Sequence, residues 1–258
     1  FIWVILNSFK PRGLIRSDTF SLPIGDKFTL ENYVTAFKRV DIGTAYVNSI
    51  VISGAVTVVV MVLAGLAAYA MVRYSFRLRG FLHSMIIASM MFPVFSTIIP
   101  VFRMESSWGI VNTGSIWLTR LSVVLPQIAG NLSFAIIVLM GFIRSLPVDL
   151  EEAAYLEGYN VYQIFFRIIM PLAKPSFATV GIFTFLWSYN DLFLQMFFLR
   201  SKKFFTITRL LNEISSQAGT NYGLMVAAVV MVVIPVLVVY IFLQNYIIKG
   251  MTAGAVKG

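Results

Sequence analysis

Residues Glu152 to Pro171 read EAAYLEGYNVYQIFFRIIMP, and they lie between two apolar segments that are each long enough to cross a membrane. Asp149 can cap a first short helix, with Glu152 three residues later completing a capping-box pattern. Gly158 supplies the left-handed residue that commonly closes a helix. Asn160 followed by Gln163 repeats the start signal, and a second helix is expected to run to Pro171, whose missing N–H and ring halt it. The stretch therefore reads as two helices about a hinge at Gly158, Tyr159 and Asn160. A capped amphipathic loop lying on a membrane surface would be the plainer use of such a segment.

The pattern Glu152, Ala153, Ala154, Gly158, Ile168, Met170, Pro171 resembles the EAA loop of permease subunits in binding-protein-dependent ABC importers; Met170 stands where the family usually has Leu. The resemblance implies that residues 149–171 form a cytoplasmic coupling loop docking into a cleft of an ATPase subunit. Small Ala153 and Ala154 allow close approach there, and Glu151, Glu152 and Glu157 offer charge partners.

Composition independently limits the class. With 59% hydrophobic and 12% charged residues, and a mean hydropathy of +0.85, the chain is too apolar for a soluble domain. Long continuous apolar runs, without the alternation of a barrel strand, call for helices to satisfy the backbone in lipid. The fold expected is all-α and polytopic, one transmembrane domain over residues 1–258. There is no cysteine, which excludes disulfides and thiolate metal sites. The net charge of +9 suits anionic lipid headgroups; no basic cluster is interleaved with aromatics, so nucleic acid is not an expected partner.

Phe1 to Phe9 is apolar but too short to span and reads as the end of an incomplete first span. Lys10 to Asp41 carries ten charges, and within it Thr29 can cap a short interfacial helix bearing Leu30, Tyr33, Val34 and Phe37. Charge-free windows follow: 31 residues between Asp41 and Arg73, 23 between Arg79 and Arg103, 23 between Arg120 and Arg144, and 35 between Glu213 and Lys249. Ser176 to Leu199, interrupted by Asp191, makes another span, and six are expected in all. Basic residues number eight on the side that would be cytoplasmic against twelve on the other, so the orientation rests on the resemblance and on the short basic loop at Arg73, Arg77 and Arg79. Gly54, Ala55, Ala64, Gly65, Ala67 and Ala68 permit close helix approach, while Pro93, Pro100, Pro126 and Pro235 are expected to kink or interrupt their helices.

No catalytic centre is legible. His83 reads as an interfacial residue, and no Gly-x-x-x-x-Gly-Lys-Ser/Thr sequence occurs, so this chain is expected to bind no cofactor and to leave ATP and Mg to partner subunits. Trp187, Tyr189, Asn190 and Asp191 are the candidate translocation-pathway residues, because an intramembrane acid is costly unless it faces protein or water and aromatics beside polar groups grip sugars. Helix pairing is the structural alternative. Arg200 to Tyr222 looks like the family's last external loop. The ending Gly254, Ala255, Val256, Lys257, Gly258 resembles that of sugar-importer permeases of the maltose type and is expected to thread, as extended backbone, between ATPase subunits. Asn32, Tyr33 and Ala67-Ala68-Tyr69-Ala70 add to the likeness.

The resemblance implies a permease subunit of an oligosaccharide importer, in a bacterial or archaeal cell membrane, working by alternating access. Its partners would be a second permease, two ATPase subunits, an external sugar-binding protein and membrane lipid. Importers of amino acids, peptides or phosphate share the architecture, and an ion-coupled secondary transporter is the competing class.

Overall fold

The computed structural model describes residues 2–39, 41–218 and 221–255, and among them every regular element is helical. In chain order these are α1 (Ile2–Ser8), α2 (Leu14–Ser17), α3 (Glu31–Arg39), α4 (Ile42–Arg73), α5 (Arg79–Ser89), α6 (Val94–Ser107) and α7 (Ile116–Ile143). There follow α8 (Asp149–Leu156), α9 (Val161–Ile164), a π turn (Phe165–Ile169), α10 (Met170–Leu172), α11 (Lys174–Asn190), α12 (Leu192–Phe198), α13 (Ile207–Ala218) and α14 (Tyr222–Ala255). At 1.5 Å per residue the 32 residues of α4 and the 28 of α7 exceed the roughly 30 Å hydrocarbon core without help. The chain forms two compact units, one of Phe1–Val51, Ser106–Val123 and Tyr189–Ile241, the other of Ile52–Glu105, Val124–Ser188 and Phe242–Gly258.

The first unit is held by side chains that serve backbone groups. Asn32 on α3 donates its amide to the carbonyls of Ser8 and Lys10, each at 2.9 Å, and fully buried Lys10 donates to the carbonyls of Asp18 and Thr19. A Cβ at Gly223, in the first turn of α14, would stand 2.3 Å from Asn32 Oδ1, so Asn32 and Gly223 require one another. Thr29 accepts the Glu31 N–H at the start of α3, while Leu30, Val34 and Phe37 remain exposed as an interfacial face would be. The expected external loop is largely the amphipathic helix α13. Ile207, Leu210 and Ile214 are buried at helical spacing, and the Ile207 N–H bonds Ser49 Oγ at 2.8 Å.

In the second unit α4 and α11 approach at glycines. A Cβ on Gly65 would lie 2.8 Å from Phe177 Cζ, one on Gly181 would lie 3.0 Å from Met61 Sδ, and Ala64 and Ala68 are fully buried. Gly54, by contrast, has open space where a Cβ would stand.

The prolines behave unequally. The window between Arg79 and Arg103 is not one straight span: α5 and α6 are bent by 104° where Met90 to Pro93 interrupt them, since proline lacks the N–H and disfavours helical backbone in the residue before it. Pro100, Pro126 and Pro235 instead lie inside continuous helices and do not interrupt them. For Pro235 the reason is visible. The carbonyl four residues earlier belongs to Met231, and the Tyr46 hydroxyl donates to it in place of the missing N–H. The span expected over 176–199 is likewise divided at Asp191. The tail differs too, since α14 continues through Gly254 and Ala255 as helix, where intrahelical bonds satisfy groups that an extended strand would leave needing a partner. Val256, Lys257 and Gly258 lie outside the described residues.

Tyr46→Phe leaves the Met231 carbonyl without its donor and is expected to destabilise the detergent-solubilised protein by about 1–3 kcal/mol. Pro235→Ala supplies a backbone N–H to the same carbonyl. The Tyr46→Phe cost should therefore shrink in the Pro235→Ala background, a double-mutant cycle that thermal unfolding measures, and equal costs in both backgrounds would refute the substitution of one donor for the other.

Candidate functional site

The loop between α7 and α11 is built from two caps and one anchor. Asn160 and Gln163 make a reciprocal capping box: Gln163 N–H bonds Asn160 Oδ1 at 2.9 Å, and Asn160 N–H bonds Gln163 Oε1 at 2.8 Å. Gly158 takes φ +85°, a conformation that costs any other residue about 1–2 kcal/mol, and no neighbour crowds it. Both expected signals are present. Asp149 does not cap, however. Pro147 with its fixed φ leads Val148 into helical backbone, so Asp149 is already inside α8 and meets the helix terminus as charge. Nor does Pro171 halt the second helix. The Met170 N–H reaches back five residues to the Phe165 carbonyl, and this wider turn makes room for the ring, so the chain stays helical to Leu172 and then bends by 82° into α11.

The anchor is Glu151. Its side chain is 5% exposed, and one carboxylate oxygen accepts Arg73 Nε at 2.5 Å while the other accepts the Tyr69 hydroxyl at 2.7 Å. Arg73 also donates to the Leu146 carbonyl at 2.9 Å. Tyr69 and Arg73 are four residues apart, one helical turn, so the last turn of α4 presents both donors on one face. Phe165 is fully buried against Tyr69 and Phe177, with ring centroids 5.6 and 6.5 Å away, which ties the π turn to the same helices. Tyr155 and Tyr74 share a hydrogen bond of 3.1 Å. That bond, with burial and the nearby Tyr74 and Glu151, pushes the Tyr155 phenol above its ordinary range. The loop's outer face is apolar and open. Leu156 is 91% exposed, and Tyr155, Tyr162 and Phe166 are exposed beside it.

A family model described as the inner membrane component of binding-protein-dependent transport systems matches residues 41–253. The chain belongs to this family. It is 34% identical to the diacetylchitobiose uptake system permease protein NgcG of Streptomyces coelicolor, over 99% of this chain and 83% of the relative. It is 31% identical to the melibiose/raffinose/stachyose import permease protein MelC of Bacillus subtilis and 32% identical to the trehalose transport system permease protein SugB of Mycobacterium tuberculosis, each over 100% of this chain and 91% of the relative. In fold it is similar to a crystal structure of a bacterial ABC transporter involved in the import of the acidic polysaccharide alginate, with TM-score 0.80 and 24% identity over 95% of this chain and 89% of that one.

Among the residues expected from sequence, Glu152, Ala153, Gly158 and Pro171 are exposed on this inner-membrane permease, Ile168 is half-buried and Ala154 is buried. Glu151 cannot serve an outside partner, because Arg73 and Tyr69 already hold it. Sequence reasoning missed this anchor; its only trace was the Tyr69–Arg73 spacing at the head of the densest basic loop. The pathway candidates diverge. Trp187 lies half-exposed between Phe134 and Phe183; Tyr189 is buried and its carbonyl accepts the Thr208 hydroxyl at 2.7 Å; Asn190 is exposed. Asp191 accepts the Leu194 N–H at 3.2 Å and caps α12, which explains an acid there structurally.

Glu151→Gln should cost about 3–5 kcal/mol, because Arg73 is left without its counter-charge in a site where both partners are nearly buried. The pair Arg73→Met with Glu151→Gln should recover part of that loss in thermal unfolding. A single variant as stable as the parent would show that the ion pair does not hold the loop.

Proposed function

We infer that the chain is the permease subunit of an ATP-driven importer that carries an oligosaccharide or related carbohydrate by alternating access. The observation that carries this reading is the helix–turn–helix loop, fixed to α4 through Glu151 and presenting Leu156, Tyr155, Tyr162 and Phe166 outward. A loop with no partner gains nothing from exposing a leucine at the tip of a firmly held helix. In this reading Glu152, Ala153, Ala154, Gly158, Ile168 and Pro171 form the surface that an ATP-binding subunit grips, and the helical end at Gly254 and Ala255 leads toward a second contact. The carbohydrate rests on the relatives, whose names describe uptake of diacetylchitobiose, raffinose-type sugars and trehalose.

The complete assembly would hold a second permease, two ATP-binding subunits with their ATP and Mg, and an external sugar-binding protein. Six spans are counted as one to which α1 belongs, α4, the bent α5–α6 pair, α7, α11 with α12, and α14, with the loop on the cytoplasmic side of the cell membrane. An ion-coupled secondary transporter would have no use for the outward face of the loop.

Leu156→Asp tests this reading. So exposed a residue should change stability by less than about 0.5 kcal/mol, while retention of the ATP-binding subunits during purification falls at least tenfold and sugar uptake falls with it. Undiminished retention would remove the loop from the docking surface.

A further inference from the structure

We propose that the break between α5 and α6 is a seat for a transmembrane helix of the second permease subunit, an inference that rests on the reading above of this pair as one span of such an importer. Run along the membrane normal, the eleven residues of α5 carry the chain about 16 Å from Arg79, so Met90 to Pro93 fall near the middle of a hydrocarbon core roughly 30 Å thick. The chain leaves helical backbone there, and its hydrogen bonds do not close. The N–H groups of Met90, Met91 and Phe92 turn back to the carbonyls of Ile87, Ala88 and Ser89, at 3.1, 3.0 and 3.3 Å. The carbonyls of Met90, Met91 and Phe92 and the Val94 N–H have no hydrogen-bond partner among the described residues.

Side chains of this chain do not cover the gap. No residue of α5 is buried, Met91 is 82% exposed, and Met90, Phe92, Val94 and Phe95 are exposed around it. The hydroxyls that flank the break are already engaged: Ser89 with Ser133 on α7, Ser96 with the Pro93 carbonyl and Thr97 with the Val94 carbonyl. Of the three possible surroundings, two fail. Hydrocarbon offers open carbonyls nothing, and irregular backbone is not tolerated against lipid. Water would serve the carbonyls, but no Asp, Glu, Lys or Arg occurs from Gly80 to Phe102, and the exposed methionine, phenylalanine and valine side chains would be hydrated at a cost. Protein satisfies both demands. An apolar helix can pack on methionines, which adapt to an irregular surface, while a Ser, Thr, Asn or Gln on it donates to the Met90 to Phe92 carbonyls, as polar residues do between membrane helices. The ATP-binding subunits and the sugar-binding protein stand outside the hydrocarbon, so the second permease is the member of the assembly able to reach the break.

The test uses the assembled complex in proteoliposomes, with the photoreactive amino acid benzoylphenylalanine in place of Phe92. If no second permease chain co-purifies with the parent, the importer reading fails and the seat with it. Where one does, irradiation should attach position 92 to that chain at least threefold more than to lipid, as mass spectrometry of the adducts measures. Any other distribution, whether adducts mainly with lipid, with another copy of this chain or with nothing, would overturn the seat while leaving the importer reading intact. Because the chain has no cysteine, Met91→Cys gives a single thiol on it that separates water from protein as the covering. A small polar thiol reagent should modify it at least tenfold more slowly in the folded complex than after unfolding in dodecyl sulfate. Equal rates would put the break in water and refute the seat.

Discussion

Hydrocarbon offers no hydrogen bonds, so every backbone group that a helix leaves unpaired inside the membrane must find a partner other than lipid. The breaks in this permease follow from that constraint. Pro235 removes a donor from α14, and Tyr46, 185 residues away in sequence, replaces it at the Met231 carbonyl. The chain leaves helical backbone at Asp191, and the carboxylate at once caps the next helix through Leu194 N–H. Asn221 does the same for the start of α14 by accepting the Leu224 N–H at 3.2 Å. Where a side chain substitutes for the lost bond the helix persists or restarts within one residue. Pro93 breaks its helix outright, and the chain turns by 104°.

The loop between α7 and α11 meets a different constraint, that of holding one fixed geometry. A carboxylate buried between a guanidinium and a phenol is not an economical source of stability, because desolvating both ions offsets most of their attraction. It does specify geometry. Glu151 can satisfy both oxygens only when α8 sits on the last turn of α4, whereas a leucine there would tolerate sliding. Gly65 contributes by letting Phe165 and Phe177 approach the α4 backbone, so that the second half of the loop is seated on the same helix.

This division explains which features the sequence announced. Caps and left-handed turns are local: Asn160 with Gln163 and the glycine at 158 are recognisable within four residues, and both take the expected form. Asp149 misled because three carboxylates share the first turn of α8 and Pro147 had already started the helix, so which acid does what depends on α4, 78 residues upstream of Glu151. Charge-free windows located the apolar segments correctly but carry no information on straightness. At Pro235 the helix is continuous where a donor, Tyr46, faces the freed carbonyl, and that pairing is invisible in the local sequence. Helix α13 was legible in principle from Ile207, Leu210, Leu211 and Ile214, yet its polar face and the flanking Lys202 and Lys203 make it read as a loop unless helical period is given precedence over polarity.

The loop runs directly into α11 at Ala173. From the bend at Ala173 to Trp187 the helix rises about 20 Å in a single unbroken run. A push on the loop reaches α11 across the 82° bend, the one place where it could be absorbed. Phe165 on the loop side and Phe177 on the helix side bracket that bend, their rings in edge contact and both seated on Gly65. With the bend splinted in this way, a displacement of the loop would move α11 as a rod, and the Ser188–Gln127 bond would draw α7 with it.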